Sequence, residues 1–155
     1  MTYKKEIRRM HTDEDFIRMA MGMAEKGDTP FGAIIVQHGK VIATGYNTVS
    51  TDGDVTAHSE INALRAAARE LGTTNLEDCI VYSNAEPCPM CMTAILWSRV
   101  PRLVFGARNE ELAEYVPTIS LSSRQVAAQS GRSIEIVSGI LEDLCMAPFR
   151  LKYKR

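Results

Sequence analysis

Two short segments of the sequence contain the residue types that bind metals and move protons. The first is Thr56-Ala57-His58-Ser59-Glu60, and the second, about thirty residues further on, is Glu86-Pro87-Cys88-Pro89-Met90-Cys91. An imidazole and two thiols are typical zinc ligands, and a set of three protein ligands leaves the fourth zinc position to water, as in catalytic sites. Together the two segments favour a zinc-dependent hydrolase.

The spacing of Cys88 and Cys91 is by itself compatible with several kinds of site. Both sulfurs can point at one spot from the first turn of a helix, where the helix dipole favours the thiolate form that binds metal. A thioredoxin-like redox pair and half of a four-cysteine zinc site share this spacing. Free cysteines are also common as small buried residues. The presence of His58 in a second segment is what favours metal binding.

Glu60 lies two residues after His58, close enough to reach water at the metal without binding the metal itself. Zinc lowers the pKa of bound water to about 7, so hydroxide becomes available at neutral pH. We expect Glu60 to take a proton from this water, to pass it to the ring nitrogen of an N=C–NH₂ group, and then to help protonate the departing ammonia. A His and a Glu at this spacing also occur by chance. The two segments together are the signature of zinc deaminases.

Each of the two segments precedes a predicted helix. Apolar periodicity predicts helices at 13–26, 57–71, 88–98, 123–129 and from 141 onward, and β-branched runs predict strands at 32–37, 41–49, 79–83, 102–106 and 134–137. Gly39 is expected to form the turn of a hairpin between the first two strands. Strands that alternate with helices predict an α/β protein, and the opening hairpin makes its sheet mixed.

The size and charge of the chain narrow the class of substrate. Its 155 residues suit one domain, residues 1–155, and 45% hydrophobic with 24% charged residues is ordinary. The net charge of −1 conceals an uneven distribution, because 8 of the 18 basic residues lie within 4–9 and 150–155 beside one acid. Residues 10–149 therefore contain 10 basic and 18 acidic residues, a net charge of −8. This balance disfavours a broad nucleic-acid-binding face.

The sequence predicts a cytoplasmic protein that does not enter a membrane. No stretch approaches the roughly 18–20 apolar residues of a membrane span, and the first ten residues lack the apolar centre of a secretory signal. Four cysteines in a reducing compartment are expected to be thiols or metal ligands. Cys79 and Cys145 are expected to be structural, since each lies on an apolar stretch.

The chain resembles the cytidine deaminase-like superfamily, and within it the purine-acting branch that includes bacterial guanine deaminases and tRNA adenosine deaminases. The resemblance runs from Phe16 to about Arg108 and rests on 30–36, 45–47, 56–61, 86–91, 94–95 and 97–99. It implies a three-layer fold with a five-stranded mixed sheet flanked by helices, and a homodimer. It also implies one Zn²⁺ per chain, held by His58, Cys88 and Cys91, with Glu60 as the catalytic residue. Where the family commonly has Ala, this chain has Ser59.

The same resemblance implies which residues contact the substrate, namely Asn47, Ala57, Phe31 and Glu114. Asn47 would hydrogen-bond the ring, and Glu114 would belong to an acidic recognition loop. Other roles remain open: Asn is common in turns and caps, and a Phe before a strand is often plain core. Three nearby carboxylates are often a solvated surface, and Trp97 could line the pocket or contact a dimer partner.

Four functional hypotheses follow. The leading one is zinc-dependent deamination of a small purine base or nucleoside, most like guanine deaminase, which converts guanine to xanthine and ammonia. A tRNA adenosine deaminase is the main alternative, because basic residues at the C-terminus could contact phosphates. Cytosine deaminase is weaker, since Glu86 before Pro87 is more typical of the purine branch. A zinc-stabilised binding module without activity is the fourth, and a fourth protein ligand, Cys79 or Cys145, would favour it.

Overall fold

A five-stranded mixed sheet forms the centre of the protein, which is described here as a computed structural model covering residues 10–154. The strands are β1 (Gly32–Gln37), β2 (Lys40–Tyr46), β3 (Cys79–Ala85), β4 (Arg102–Ala107) and β5 (Glu135–Val137). They are ordered β2-β1-β3-β4-β5. β1 is antiparallel to both β2 and β3, whereas β3, β4 and β5 are parallel to one another. The predicted mixed sheet is confirmed.

Helices occupy most of the connections between the strands. Within residues 10–154 they are α1 (Asp13–Ala24), α2 (Val49–Asp52), α3 (Ser59–Leu71), α4 (Pro89–Trp97), α5 (Asn109–Leu112), α6 (Ser123–Ala128) and α7 (Glu142–Lys152). None of these helices is long and apolar enough to cross a membrane.

Two apolar clusters, one on each face of the sheet, give the three layers that the sequence predicts. Residues such as Ala63 of α3 and Met92 of α4 belong to one cluster. Residues such as Ile17 of α1 and Phe149 of α7 belong to the other. The helices that carry the two ligand segments, α3 and α4, therefore share one face of the sheet.

Cys79 and Cys145 are buried, as expected of structural residues. Cys79 belongs to the cluster beneath α3 and α4, and Cys145 to the opposite cluster. Both are free thiols with no exposed surface. Burial raises the pKa of Cys79, and it raises the pKa of Cys145 to about 11. Neither thiol is therefore prepared for chemistry at neutral pH.

The structure differs from several of the predicted elements and boundaries. The second strand ends at Tyr46, whereas the sequence predicts a strand over 41–49, because the chain turns at residues 47–48 into α2. α5 was not predicted, since four residues are too few to show a helical period. In the hairpin, His38 as well as Gly39 has positive φ, 49° and 76°, which is the two-residue turn that a right-twisted hairpin favours.

Gly45 allows α3 to lie directly against β2. A β-carbon at this position would collide with the carbonyl oxygen of Ser59 and would lie 2.5 Å from the backbone nitrogen of Ala63. Any larger side chain would push the first turn of α3 away from the sheet. The glycine therefore fixes the helix end that begins next to His58.

Candidate metal centre and active site

The three predicted metal ligands lie at the N-terminal ends of α3 and α4. His58 and Cys88 are the N-cap residues of the two helices, and Cys91 lies in the first turn of α4. Both caps have extended backbone, and neither side chain bonds to the N–H groups of its own helix. The side chains are thus available to one another, and their ligand atoms all lie within 4.8 Å.

The spacing of these atoms fits zinc. The sulfurs of Cys88 and Cys91 each lie 3.6 Å from Nδ1 of His58. A tetrahedral zinc with Zn–S near 2.3 Å and Zn–N near 2.05 Å would separate nitrogen and sulfur by about 3.6 Å. The three residues are positioned to bind one metal ion. In residues 10–154 they form the one such cluster of His, Cys and acidic side chains, and neither Cys79 nor Cys145 joins it.

The electrostatics of the cluster favour thiolate at Cys88. The adjacent Cys91 thiol lowers the pKa of Cys88 to about 4, and the adjacent His58 lowers it too. Proximity to Cys88 in turn raises the pKa of Cys91. Contact with Cys88 raises the pKa of His58. Negative charge is therefore concentrated at the point where the ligand atoms meet, which is what a cation requires.

Glu60 is almost fully buried, with 4% of its surface exposed, and both of its carboxylate oxygens are hydrogen-bonded. The Ser59 hydroxyl donates to Oε2 and the Ser83 hydroxyl to Oε1, each at 3.0 Å. Burial is the main reason that the pKa of Glu60 is raised, and negative charge at Cys88 also raises it. A raised pKa makes the carboxylate a stronger proton acceptor, which suits a group that takes a proton from water.

Asn47 lies at the loop that faces the His58 segment. Its Oδ1 accepts a hydrogen bond from the N–H of Val49 at 3.1 Å. Part of the side chain therefore caps a turn, which is the alternative role that the sequence leaves open. The amide of the next residue, Thr48, donates to the carbonyl of Ala57 at 3.0 Å, which joins this loop to the His58 segment. The Asn47 side-chain NH₂ makes no hydrogen bond with any residue in 10–154.

Ala57 and Phe31 are less exposed than Glu114. Ala57 is buried directly before His58. Phe31 packs edge-on against Phe149 of α7, with ring centroids 4.9 Å apart, and contacts the cluster beneath α1 and α7. Glu114 is exposed just after α5, and the structure gives it no hydrogen bond or ion pair within the described part of the chain. The structure thus places Ala57 next to the ligand set, whereas no hydrogen bond or ion pair in residues 10–154 joins Glu114 to it.

Two further residues organise the site and were missed in the sequence. Ser83 holds Glu60 from β3, and its signal was a hydroxyl in an otherwise largely apolar strand. Asn62, two residues after Glu60, donates to the carbonyl of Tyr46 at 2.8 Å and to the hydroxyl of Thr48 at 2.9 Å. Asn62 therefore fixes the loop of Asn47 against the start of α3.

Comparison with known families agrees with this geometry. The profile of the family described as the cytidine and deoxycytidylate deaminase zinc-binding region matches residues 10–107. The chain belongs to this family. It is accordingly a zinc-dependent hydrolytic deaminase, and the matched segment contains all three metal ligands together with Glu60. The predicted limits of the resemblance, Phe16 to about Arg108, nearly coincide with the matched range.

Individual relatives include deaminases of a free base and of tRNA. The guanine deaminase of Bacillus subtilis is 43% identical over 106 residues, which are 65% of this chain and 68% of the relative. The tRNA-specific adenosine deaminase of the same organism is 35% identical over 132 residues, covering 85% of this chain and 80% of the relative. The structure of a guanine deaminase from Nitrosomonas europaea has a TM-score of 0.84 at 27% identity, covering 96% of this chain and 88% of that one.

Proposed function

We propose that the protein deaminates a free purine, most like guanine deaminase, converting guanine and water to xanthine and ammonia. The observation that carries this proposal is a buried, doubly hydrogen-bonded Glu60 beside a ligand set of three side chains. A structural zinc site needs four protein ligands and no neighbouring acid. The likeness to guanine deaminases in both sequence and fold supports guanine as the substrate.

The chemistry can be assigned to named residues. When zinc is bound by His58, Cys88 and Cys91, it makes water at the site acidic enough to ionise near neutral pH. Glu60 accepts one proton from the attacking water and passes it to the ring nitrogen. It then accepts the remaining proton of the added hydroxyl and passes that proton to the amine, which departs as ammonia. Ser59 and Ser83 hold the two carboxylate oxygens, so that Glu60 does not need to reorganise between these transfers.

Asn47 is proposed to orient the purine. Its Oδ1 is held by the N–H of Val49, which leaves the side-chain NH₂ to donate to a ring acceptor. The buried Ala57 and the half-buried Phe31 are proposed to contact the substrate near it. Glu114 stays a prediction for recognition, since it lies on an exposed segment.

A tRNA adenosine deaminase is the second candidate, supported by the 35% identity to such an enzyme. Part of the positive charge at the C-terminus is paired with an acid. Arg150 pairs with Asp143 at 3.2 Å, whereas Lys152 donates to the neutral carbonyl of Asp28 at 2.8 Å and keeps its charge. Arg155 and the basic residues of 4–9 lie outside the described residues. Together with the acidic composition of 10–149, the pairing of Arg150 favours a small substrate.

We propose further that residues 1–155 form one domain, that it acts as a homodimer, and that it is cytoplasmic. Trp97 and Met90 of α4 are 75% and 37% exposed and line a groove of about 510 Å³ shared with Ile61 of α3. Exposed apolar side chains grouped in this way are typical of an interface. The free thiols of Cys79 and Cys145 support a reducing compartment. Light scattering on wild type and Trp97→Ser tests the dimer, which the substitution should weaken.

A substrate panel tests the proposed function. Purified zinc-loaded protein is incubated with guanine, guanosine, adenine, cytosine and a tRNA anticodon stem-loop, and the release of ammonia is measured. Guanine is expected to give the highest kcat/KM. A preference for the stem-loop would support the tRNA alternative, and no release from any of the five would contradict a purine deaminase.

A further inference from the structure

The carboxylate of Glu86 accepts more hydrogen bonds than the sequence predicts. It lies two residues before Cys88, and the sequence singles it out only as typical of the purine branch. Its Oε2 accepts the N–H of Asn109 at 2.7 Å. Its Oε1 accepts both the N–H and the hydroxyl of Ser123, each at 2.9 Å. One carboxylate therefore receives three hydrogen bonds from two distant places in the chain.

The two partners are the first residues of α5 and α6. Asn109 begins residues 109–122, here named the acidic segment, and Ser123 directly follows them. This segment contains Glu110, Glu111 and Glu114. It closes on itself through a hydrogen bond of 3.0 Å from the Asn109 side chain to the carbonyl of Ile119. Because Glu86 holds both ends, a single side chain fastens the segment to the turn between β3 and the metal ligands.

Glu86 is itself well anchored. Its backbone N–H donates to the carbonyl of Ala107 at 2.8 Å, which joins the end of β3 to the end of β4. The next residues are Pro87, whose φ is restricted, and Cys88 at the N-cap of α4. The position of the acidic segment is thus set by the same turn that places a metal ligand.

We infer that Glu86 is a positioning residue that fixes the acidic segment beside the metal site and thereby determines affinity for the substrate. This inference rests on the proposed function. Glu86 does not touch the reacting atoms, so its loss should weaken substrate binding far more than the chemical step. Glutamine cannot replace it, because its NH₂ group would face an N–H donor at one of the two ends.

The test compares Glu86→Gln with Glu70→Gln, the same chemical change at an exposed position of α3. For Glu86→Gln we expect one zinc per chain, a KM for guanine raised about tenfold or more, and a kcat within about threefold of wild type. Hydrogen exchange should become faster in peptides from 109–122 and stay unchanged in peptides from α3. Glu70→Gln should match wild type in all four measurements.

Two outcomes would overturn the inference. One is an unchanged KM with unchanged exchange in 109–122. The other is a parallel loss of zinc and kcat, which would make Glu86 a structural support of the metal centre. If wild type deaminates no purine, the proposed function is wrong. The exchange measurement does not depend on activity, so unchanged exchange in 109–122 of Glu86→Gln would still refute the inference about Glu86.

Discussion

The hydroxyl of Ser83 lies 3.0 Å from the carboxylate of Glu60, so the central strand β3 directly holds the acid that α3 presents to the metal ligands. The same hydroxyl lies 2.7 Å from the carbonyl of Ala85, which competes for its single proton. Ser83 can therefore donate to Glu60 when the carboxylate is charged and turn to Ala85 when it is not. The proposed proton carrier has a partner that adapts to both of its states.

Removing this partner should slow the reaction. Ser83→Ala leaves Ser59 as the one side chain of residues 10–154 that donates a hydrogen bond to Glu60. A hydrogen bond to a charged group contributes about 1.5–3 kcal/mol. We expect kcat for guanine to fall about tenfold or more while the zinc content stays at one per chain. Ser130→Ala, a change at an exposed serine, is the control in steady-state assays. A kcat unchanged in Ser83→Ala would show that Ser83 does not position Glu60.

Zinc content should depend on Cys91 and not on Cys79. Cys91→Ala removes one of three ligands and is expected to abolish stoichiometric zinc, measured by plasma mass spectrometry after dialysis. Cys79→Ala deletes a buried thiol in the apolar cluster and should keep its zinc at some loss of stability. Because a ligand that binds only the folded state stabilises it, chelation should also lower the Tm of wild type but not of Cys91→Ala. Zinc retained by Cys91→Ala would refute the assignment.

Two glycines, one at the close contact between β2 and α3 and one in open space on α1, predict opposite effects of substitution by alanine. Gly45→Ala is expected to destabilise the fold by about 3 kcal/mol, because the new methyl group would collide with the backbone of α3. Gly22→Ala, within α1, meets nothing within 4 Å and should stabilise by about 0.5–1 kcal/mol through its helix propensity. Urea unfolding measures both. Equal stability of the two variants would contradict the packing described.

The ion pair between Asp13 and Arg102 predicts how stability varies with pH. The Arg102 guanidinium donates to Asp13 at 2.7 and 2.9 Å and lowers the pKa of that carboxyl below its ordinary value of 3.8. A carboxyl group with a lowered pKa contributes stability above the unfolded pKa and loses it as pH falls through the folded pKa. Wild type should exceed Asp13→Asn by about 1 kcal/mol at pH 7, and the difference should shrink below pH 4. A difference independent of pH would contradict this.

The sequence predicts the architecture and the metal ligands because both depend on local patterns. Short β-branched and apolar runs locate all five strands, and the His58 and Cys88 segments together have a spacing that few other sites share. The starts of helices are harder to predict, because they depend on capping residues. The sequence predicts helices from about 57 and 88, whereas His58 and Cys88 are the N-cap residues that precede α3 and α4.

Contacts between distant residues could not be predicted in this way. Ser83 is 23 positions from Glu60, and Ser123 is 37 positions from Glu86. No local period relates such residues, since they meet only after β3, α3 and α6 have packed. The role of Ser59 was not predicted either. A Ser where the family commonly has Ala has no evident effect in the sequence, whereas the structure shows that its hydroxyl donates a hydrogen bond to the adjacent Glu60.

The central claim, that Glu60 moves protons beside a zinc ion to deaminate guanine, has one direct test. Xanthine formation from guanine and zinc content are measured on the same preparations of wild type and Glu60→Gln. We expect wild type to form xanthine, and Glu60→Gln to retain one zinc per chain while its kcat falls by about 10²–10⁴ or more. Turnover by Glu60→Gln at the wild-type rate, or loss of its zinc, would contradict the account.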